Sequence, residues 1–252
     1  MTKYFNINRF ILTLRVQTVE HWRTYFFAGL SAGLLFLFYA LANHLFGKSI
    51  NENEVSFFFD VMLIIGVIST AGSFTGINSP QKGFLFFMFP ASLPEKYLSR
   101  LLSTSLVYFI YSFLLILILS TAISLLNMAV LNFNFVTINP FDESFLNLAW
   151  GFIVYHSVFF CGSLIFKKNP FLLTITSIGV IAVSILLLVI IVMIIFGLKA
   201  DPQLMTDIIQ VINKKRGNLS DVGYYAWRVF KVILPITLYA VSYRLLSKKQ
   251  LI

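Results

Sequence analysis

The residues best equipped for specific polar chemistry are Ser92–Leu93–Pro94–Glu95–Lys96–Tyr97–Leu98–Ser99–Arg100. Serine followed three residues later by glutamate is a capping box. The hydroxyl serves the N–H of the third helical residue, and the carboxylate reaches back to the serine N–H. Proline in the first turn removes no helical bond, because those N–H groups have no partner there. The spacing therefore predicts a helix that starts at Ser92 and runs through Tyr97 and Leu98. Glu95, Lys96, Ser99 and Arg100 would be its polar groups. Two readings follow: a rigid handle for a soluble partner, or a simple start for the apolar segment behind it. The residues alone support both equally.

Other chemistries find little support. No GxxxxGKS/T nucleotide loop, HExxH, GxSxG or paired-carboxylate constellation occurs in the chain. No Cys/His spacing suggests a metal site, and the one cysteine, Cys161, reads as a small packing residue. His156, midway along an apolar run, reads as a histidine hydrogen-bonded to a neighbouring helix rather than a ligand; His21 and His44 lie near segment ends and are assigned no role. Asp60 is the only acid inside an apolar segment. Ion-coupled transporters usually keep ionisable groups near the bilayer midplane, so ion coupling is disfavoured.

These residues sit on elements that belong in a membrane. Of 252 residues, 58% are hydrophobic and 12% charged, against about 25% charged in soluble domains. So few charges cannot cover a water-facing surface, and the excess apolar area must meet lipid. Spans of roughly 20 apolar residues are expected at 24–46, 57–77, 101–126, 146–166, 171–196 and 229–246. The last is the weakest, with Arg228 and Lys231 at its start and Pro235 inside. The start of the chain lacks signal-peptide character and is expected to be kept. Within residues 1–23, Asn6, Arg9, Thr13, Gln17 and Glu20 recur at helical spacing opposite Ile7, Phe10, Ile11, Leu14 and Trp22. That pattern predicts an amphipathic interfacial helix. Residues 78–100 form one connection and 197–228 the longest on the other side; no soluble domain is inserted.

The fold class expected is therefore all-α integral membrane, six transmembrane helices behind an N-terminal interfacial helix. With the N-terminus inside, twelve basic and two acidic residues fall on the inner side and seven basic and eight acidic on the outer. The balance is +10 against −1, which places both termini in the cytoplasm by the positive-inside rule. Lys214–Lys215–Arg216 dissents, on the long outer connection. Gly29 and Gly33, then Gly72 and Gly76, form two GxxxG pairs, which suit close helix packing within the chain or a dimer interface.

The stretch FMFPASLPEKYLSRLL, ending at Leu102, resembles the coupling segment of bacterial ABC-type exporter permeases. Members often carry a Leu/Phe-Pro-small-Ser…Glu-Lys-aromatic-Leu pattern there. The similarity covers about residues 88–102 by motif and the whole chain by architecture. It implies a half-transporter in the bacterial cytoplasmic (inner) membrane that pairs with a second permease copy, identical or related, and rests on cytoplasmic ABC ATPase subunits. It assigns ATPase coupling to Ser92, Glu95, Lys96, Tyr97 and Arg100. ATP and Mg would be held by the partner ATPase, so no cofactor, catalytic residue or metal is expected in this chain, and no nucleic acid partner. The resemblance also implies short re-entrant helices near 203–215. Gly83–Phe89 departs from the pattern in being strongly apolar and aromatic, as if dipping into the inner leaflet. The alternative is a non-transporting scaffold subunit of an envelope machine for motility or secretion. A membrane enzyme would need a polar cluster at one depth, which the sequence does not offer.

Overall fold

Among the described residues all regular secondary structure is helical, as backbone groups in lipid require: a helix satisfies its own N–H and C=O groups. A computed structural model describes residues 5–48, 52–78, 80–131, 143–197 and 216–250. Among the described residues eight α-helices follow in order: α1 (Ile7–Leu45), α2 (Glu52–Ala71), α3 (Pro80–Met88), α4 (Leu93–Leu102), α5 (Tyr108–Leu131), α6 (Glu143–Ile165), α7 (Pro170–Gly197) and α8 (Arg216–Gln250). Six segments among the described residues are long and apolar enough to cross a membrane, built on α1, α2, α4–α5, α6, α7 and α8. The chain is a multi-pass membrane protein.

Several expected boundaries shift. The last helix begins at Arg216, inside the expected 197–228 connection, and α5 runs on to Leu131. Two further shifts bear on the site. No break separates an interfacial helix at 1–23 from a first span at 24–46. Residues 7–45 are one helix of 39 residues, about 58 Å long at 1.5 Å per residue, roughly twice the hydrocarbon thickness. The second correction concerns Gly72 and Gly76. The α-helix stops at Ala71, and Gly76 falls in a 3-10 turn, Thr75–Asn78. The second GxxxG pair therefore shares no helix face. The expected re-entrant helices at 203–215 lie outside the described residues.

α4 and α5 are joined by a π-helical turn, Ser103–Val107, into one continuous rod. Three consecutive hydroxyl residues explain the local widening, because Ser and Thr side chains compete for the helix's own carbonyls. Thr104 Oγ1 donates to the Arg100 carbonyl at 2.9 Å and Ser105 Oγ to Leu101 at 2.7 Å. Ser103's carbonyl accepts the Tyr25 hydroxyl of α1 at 2.8 Å. α1 and the α4–α5 rod run parallel: Arg9 meets Glu95, Tyr25 meets Ser103 and Tyr108, and Gly33 faces Leu119.

α2 packs on α1, α5 and α6, and α6 carries α7 and α8. The main core is rich in aromatics: Tyr25, Phe36, Phe58, Phe59, Tyr108, Phe152 and Phe159. A smaller core near α4 joins Phe74, Tyr97, Phe160, Leu164 and Leu246. Lipid tails are as apolar as these rings, so van der Waals fit rather than escape from water selects the packing. Gly29 provides that fit within the chain. A Cβ there would stand 2.2 Å from the Tyr111 hydroxyl oxygen and 2.7 Å from Leu115.

Candidate functional site

α4 begins where the capping box predicts, with Ser92 as N-cap. Only the glutamate half of the box is a made bond: Ser92 N–H donates to Glu95 Oε2 at 2.7 Å, while Ser92 Oγ is buried without a partner. The rest of the Glu95 carboxylate is engaged as well. Asn6 N–H donates to Oε1 at 2.6 Å and Arg9 Nη2 to the same oxygen at 3.1 Å. Asn6 precedes α1 and caps it, its Oδ1 accepting the Asn8 N–H at 2.9 Å. Two helix N-termini, each a region of positive partial charge, thus converge on one carboxylate that is fully buried.

The remaining polar groups of α4 also turn inward. Lys96 (3% exposed) donates from Nζ to the Phe87 carbonyl at 2.9 Å, and its ammonium lies 5.6 Å from the Phe86 ring centre. Arg100 is 5% exposed; Nε donates to Gln17 Oε1 at 2.8 Å and Nη2 to Glu20 Oε2 at 3.0 Å. Ser99 is buried and bonds back to Lys96. Tyr97 reaches the other way. Its hydroxyl donates to the Tyr239 carbonyl of α8 at 2.7 Å and lies 2.7 Å from Ser242 Oγ.

The polar groups expected on the surface of a handle are therefore its attachments. Ser92, Glu95, Lys96, Tyr97 and Arg100 are all buried, and Leu98 is the exposed residue of the helix beside half-buried Leu93 and Pro94. The polar stripe of the N-terminal segment belongs to the same junction: Thr13 and Gln17 are buried, while Ile7, Ile11, Val16, Val19 and Trp22 face outward. The amphipathic pattern was legible in the sequence. What it faces was not, because an apolar outer face and a polar inner one suit a helix end in lipid as well as one lying on it. α3 takes up the aromatic stretch at Gly83–Phe89, with Phe84 and Met88 exposed and Phe86 and Phe87 half-buried.

A second polar relay runs deeper. His156 is fully buried on α6, its Nε2 3.0 Å from Thr104 Oγ1 in the π turn and its Nδ1 2.9 Å from the Tyr239 hydroxyl of α8. Both ring nitrogens are occupied, as expected for a histidine bonded across helices. Through Tyr97, Thr104 and His156, α4, the π turn, α6 and α8 share one hydrogen-bonded seam. Among the described residues no three His, Cys, Asp or Glu side chains cluster as metal ligands do. Of the four glycines at the GxxxG positions, Gly29 and Gly33 pack on α5, whereas Gly72 meets only the Ser69 carbonyl.

No family model, curated protein or solved structure matches this chain.

Proposed function

We propose that this chain is the permease subunit of an ATP-driven exporter, its α4 end facing the cytoplasm of a bacterial inner membrane. It would work as a dimer on separate ATPase subunits. One observation carries the reading: α4, ten residues long, is fastened to three membrane helices. It grips α1 through Glu95 and Arg100, α8 through Tyr97, and continues into α5. A short helix so fastened moves its neighbours when pushed, which is the demand on a coupling element. The family resemblance of residues 88–102 and the charge balance point the same way. In this account the buried residues transmit force, and the push falls on what α4 and its approach expose, Met88, Phe89, Pro90 and Leu98.

The experiment is hydrolysis by the complex isolated from native membranes and reconstituted in vesicles. With Tyr97→Phe, the ATPase should stay bound while its rate loses dependence on the membrane subunit. Unchanged coupling in that variant sinks the role given to α4. A second reading, a non-transporting scaffold, draws on α7. From Ile178 to Ile195 every residue whose exposure is described is exposed, an apolar surface that a neighbouring subunit of a larger assembly would cover. A bound ATPase with no stimulated hydrolysis would favour it.

A further inference from the structure

Beside the α1–α4 junction lies a cavity of about 370 Å³ that the coupling role does not use. Its size falls in the roughly 300–1,000 Å³ range of small-ligand sites. Lys96 and Arg100 line it, with Glu20, His21, Ser73 and Phe86. Both cations are at most 5% exposed. Among the described residues the one carboxylate on its wall is Glu20, whose side chain is 57% exposed and already bonded to Arg100. Glu95 is absent from the lining, its oxygens committed to Asn6, Ser92 and Arg9.

The donors exceed the acceptors. Lys96 uses one of its three ammonium protons, and Arg100 uses two of its five N–H groups. Ser73, 3% exposed, lines the cavity with a buried Oγ that has no partner, and His21 Nε2 is likewise buried and unpartnered. Buried polar atoms without partners are rare in folded proteins and ask for a ligand. A donor-rich cavity takes a ligand rich in acceptors, and charge-assisted bonds to oxyanions are the strong ones.

We infer that this cavity binds a phosphate oxyanion, held by Lys96, Arg100 and Ser73. The rim favours the phosphate of an anionic phospholipid as the source. Val16 and Phe89 on the lining are 50% and 37% exposed. Val16 continues into the apolar outer face of α1, where acyl chains would lie. The α1 and α4–α5 helices each exceed the hydrocarbon thickness, so their N-terminal ends reach headgroup level.

The test is native mass spectrometry and thermal unfolding of the delipidated full chain in detergent. The probes are phosphatidylglycerol, phosphatidylcholine and inorganic phosphate. Phosphatidylglycerol should bind about tenfold tighter than phosphatidylcholine and raise Tm. Ser73→Ala and Lys96→Gln should each weaken it about tenfold, the loss expected for a bond to a charged group. Ser73 Oγ has no partner to lose, so Ser73→Ala keeps the test decisive where Lys96→Gln fails to fold. Binding of inorganic phosphate alone, sensitive to the same variants, supports the oxyanion site and makes the free ion its source. Equal affinity for the two lipids with no effect of phosphate, no binding of any probe, or binding that Ser73→Ala leaves intact overturns the proposal.

Discussion

The junction of α1 with α4 and the far half of α7 are opposite solutions to life in a bilayer. At the junction, side chains 80 or more positions apart in sequence satisfy one another: Arg9 with Glu95, Gln17 and Glu20 with Arg100. α7 beyond Ser177 has no buried residue among those described and no charge up to Gly197. One region is specified by directional bonds whose donors and acceptors have few alternatives. The other is specified only by being apolar, which lipid satisfies on every face. Change that must be transmitted needs the first kind of contact, since a greasy helix slides where a bonded one is pulled.

If that contrast holds, substitutions should grade steeply between the two regions. The largest effect belongs to Glu95→Ala. It strands the Asn6 and Ser92 N–H groups and takes one partner from the Arg9 guanidinium, and removing one partner of a buried pair costs about 3 kcal/mol or more. Arg9 is 29% exposed, so water recovers part of its share and the lower end applies. Equilibrium unfolding in mixed micelles reads this as a lowered midpoint, and an unchanged midpoint would break the comparison.

Next comes Gly162→Ala on α6, facing the first turns of α7. The added Cβ would stand 2.1 Å from Thr174 Oγ1, and Thr174 is buried and bonded to the Pro170 carbonyl at 2.6 Å. Overpacking of this kind costs about 2 kcal/mol. It marks where α7 leaves the bundle. Tyr97→Phe follows, with a loss of about 1 kcal/mol, because Ser242 keeps its own bond to the Tyr239 carbonyl. The smallest effect is Gly179→Leu, where nothing lies within 4 Å of a Cβ. The midpoint should move by less than about 0.5 kcal/mol. A large loss there would mean that another chain, not lipid, covers α7.

The same contrast decides what the sequence could tell. The six apolar segments are legible because hydropathy is a local property, and the start of α4 because a capping box is local too. The stop of α2 at Ala71 was hidden by apolar Phe74 and Ile77, which continue the hydropathy past the helix end. The break expected after residue 23 rested on the polar stripe from Asn6 to Glu20 giving way to an apolar run, but one helix carries both patterns and passes straight through. The closure of α4 on α1 depends on pairing Asn6 and Arg9 with Glu95, and no local pattern encodes a partner 86 residues away. For this reason Glu95, Lys96 and Arg100 were legible as the polar groups of α4 and not as its buried ones.

The central claim is that α4 passes on work done by another protein. Purification of the chain from native membranes in mild detergent, with the co-eluting polypeptides identified and counted, tests it most directly. The account predicts two copies of this chain, or one with a related chain, together with two copies of a polypeptide that carries a nucleotide-binding loop. Recovery of this chain with no nucleotide-binding partner would contradict it.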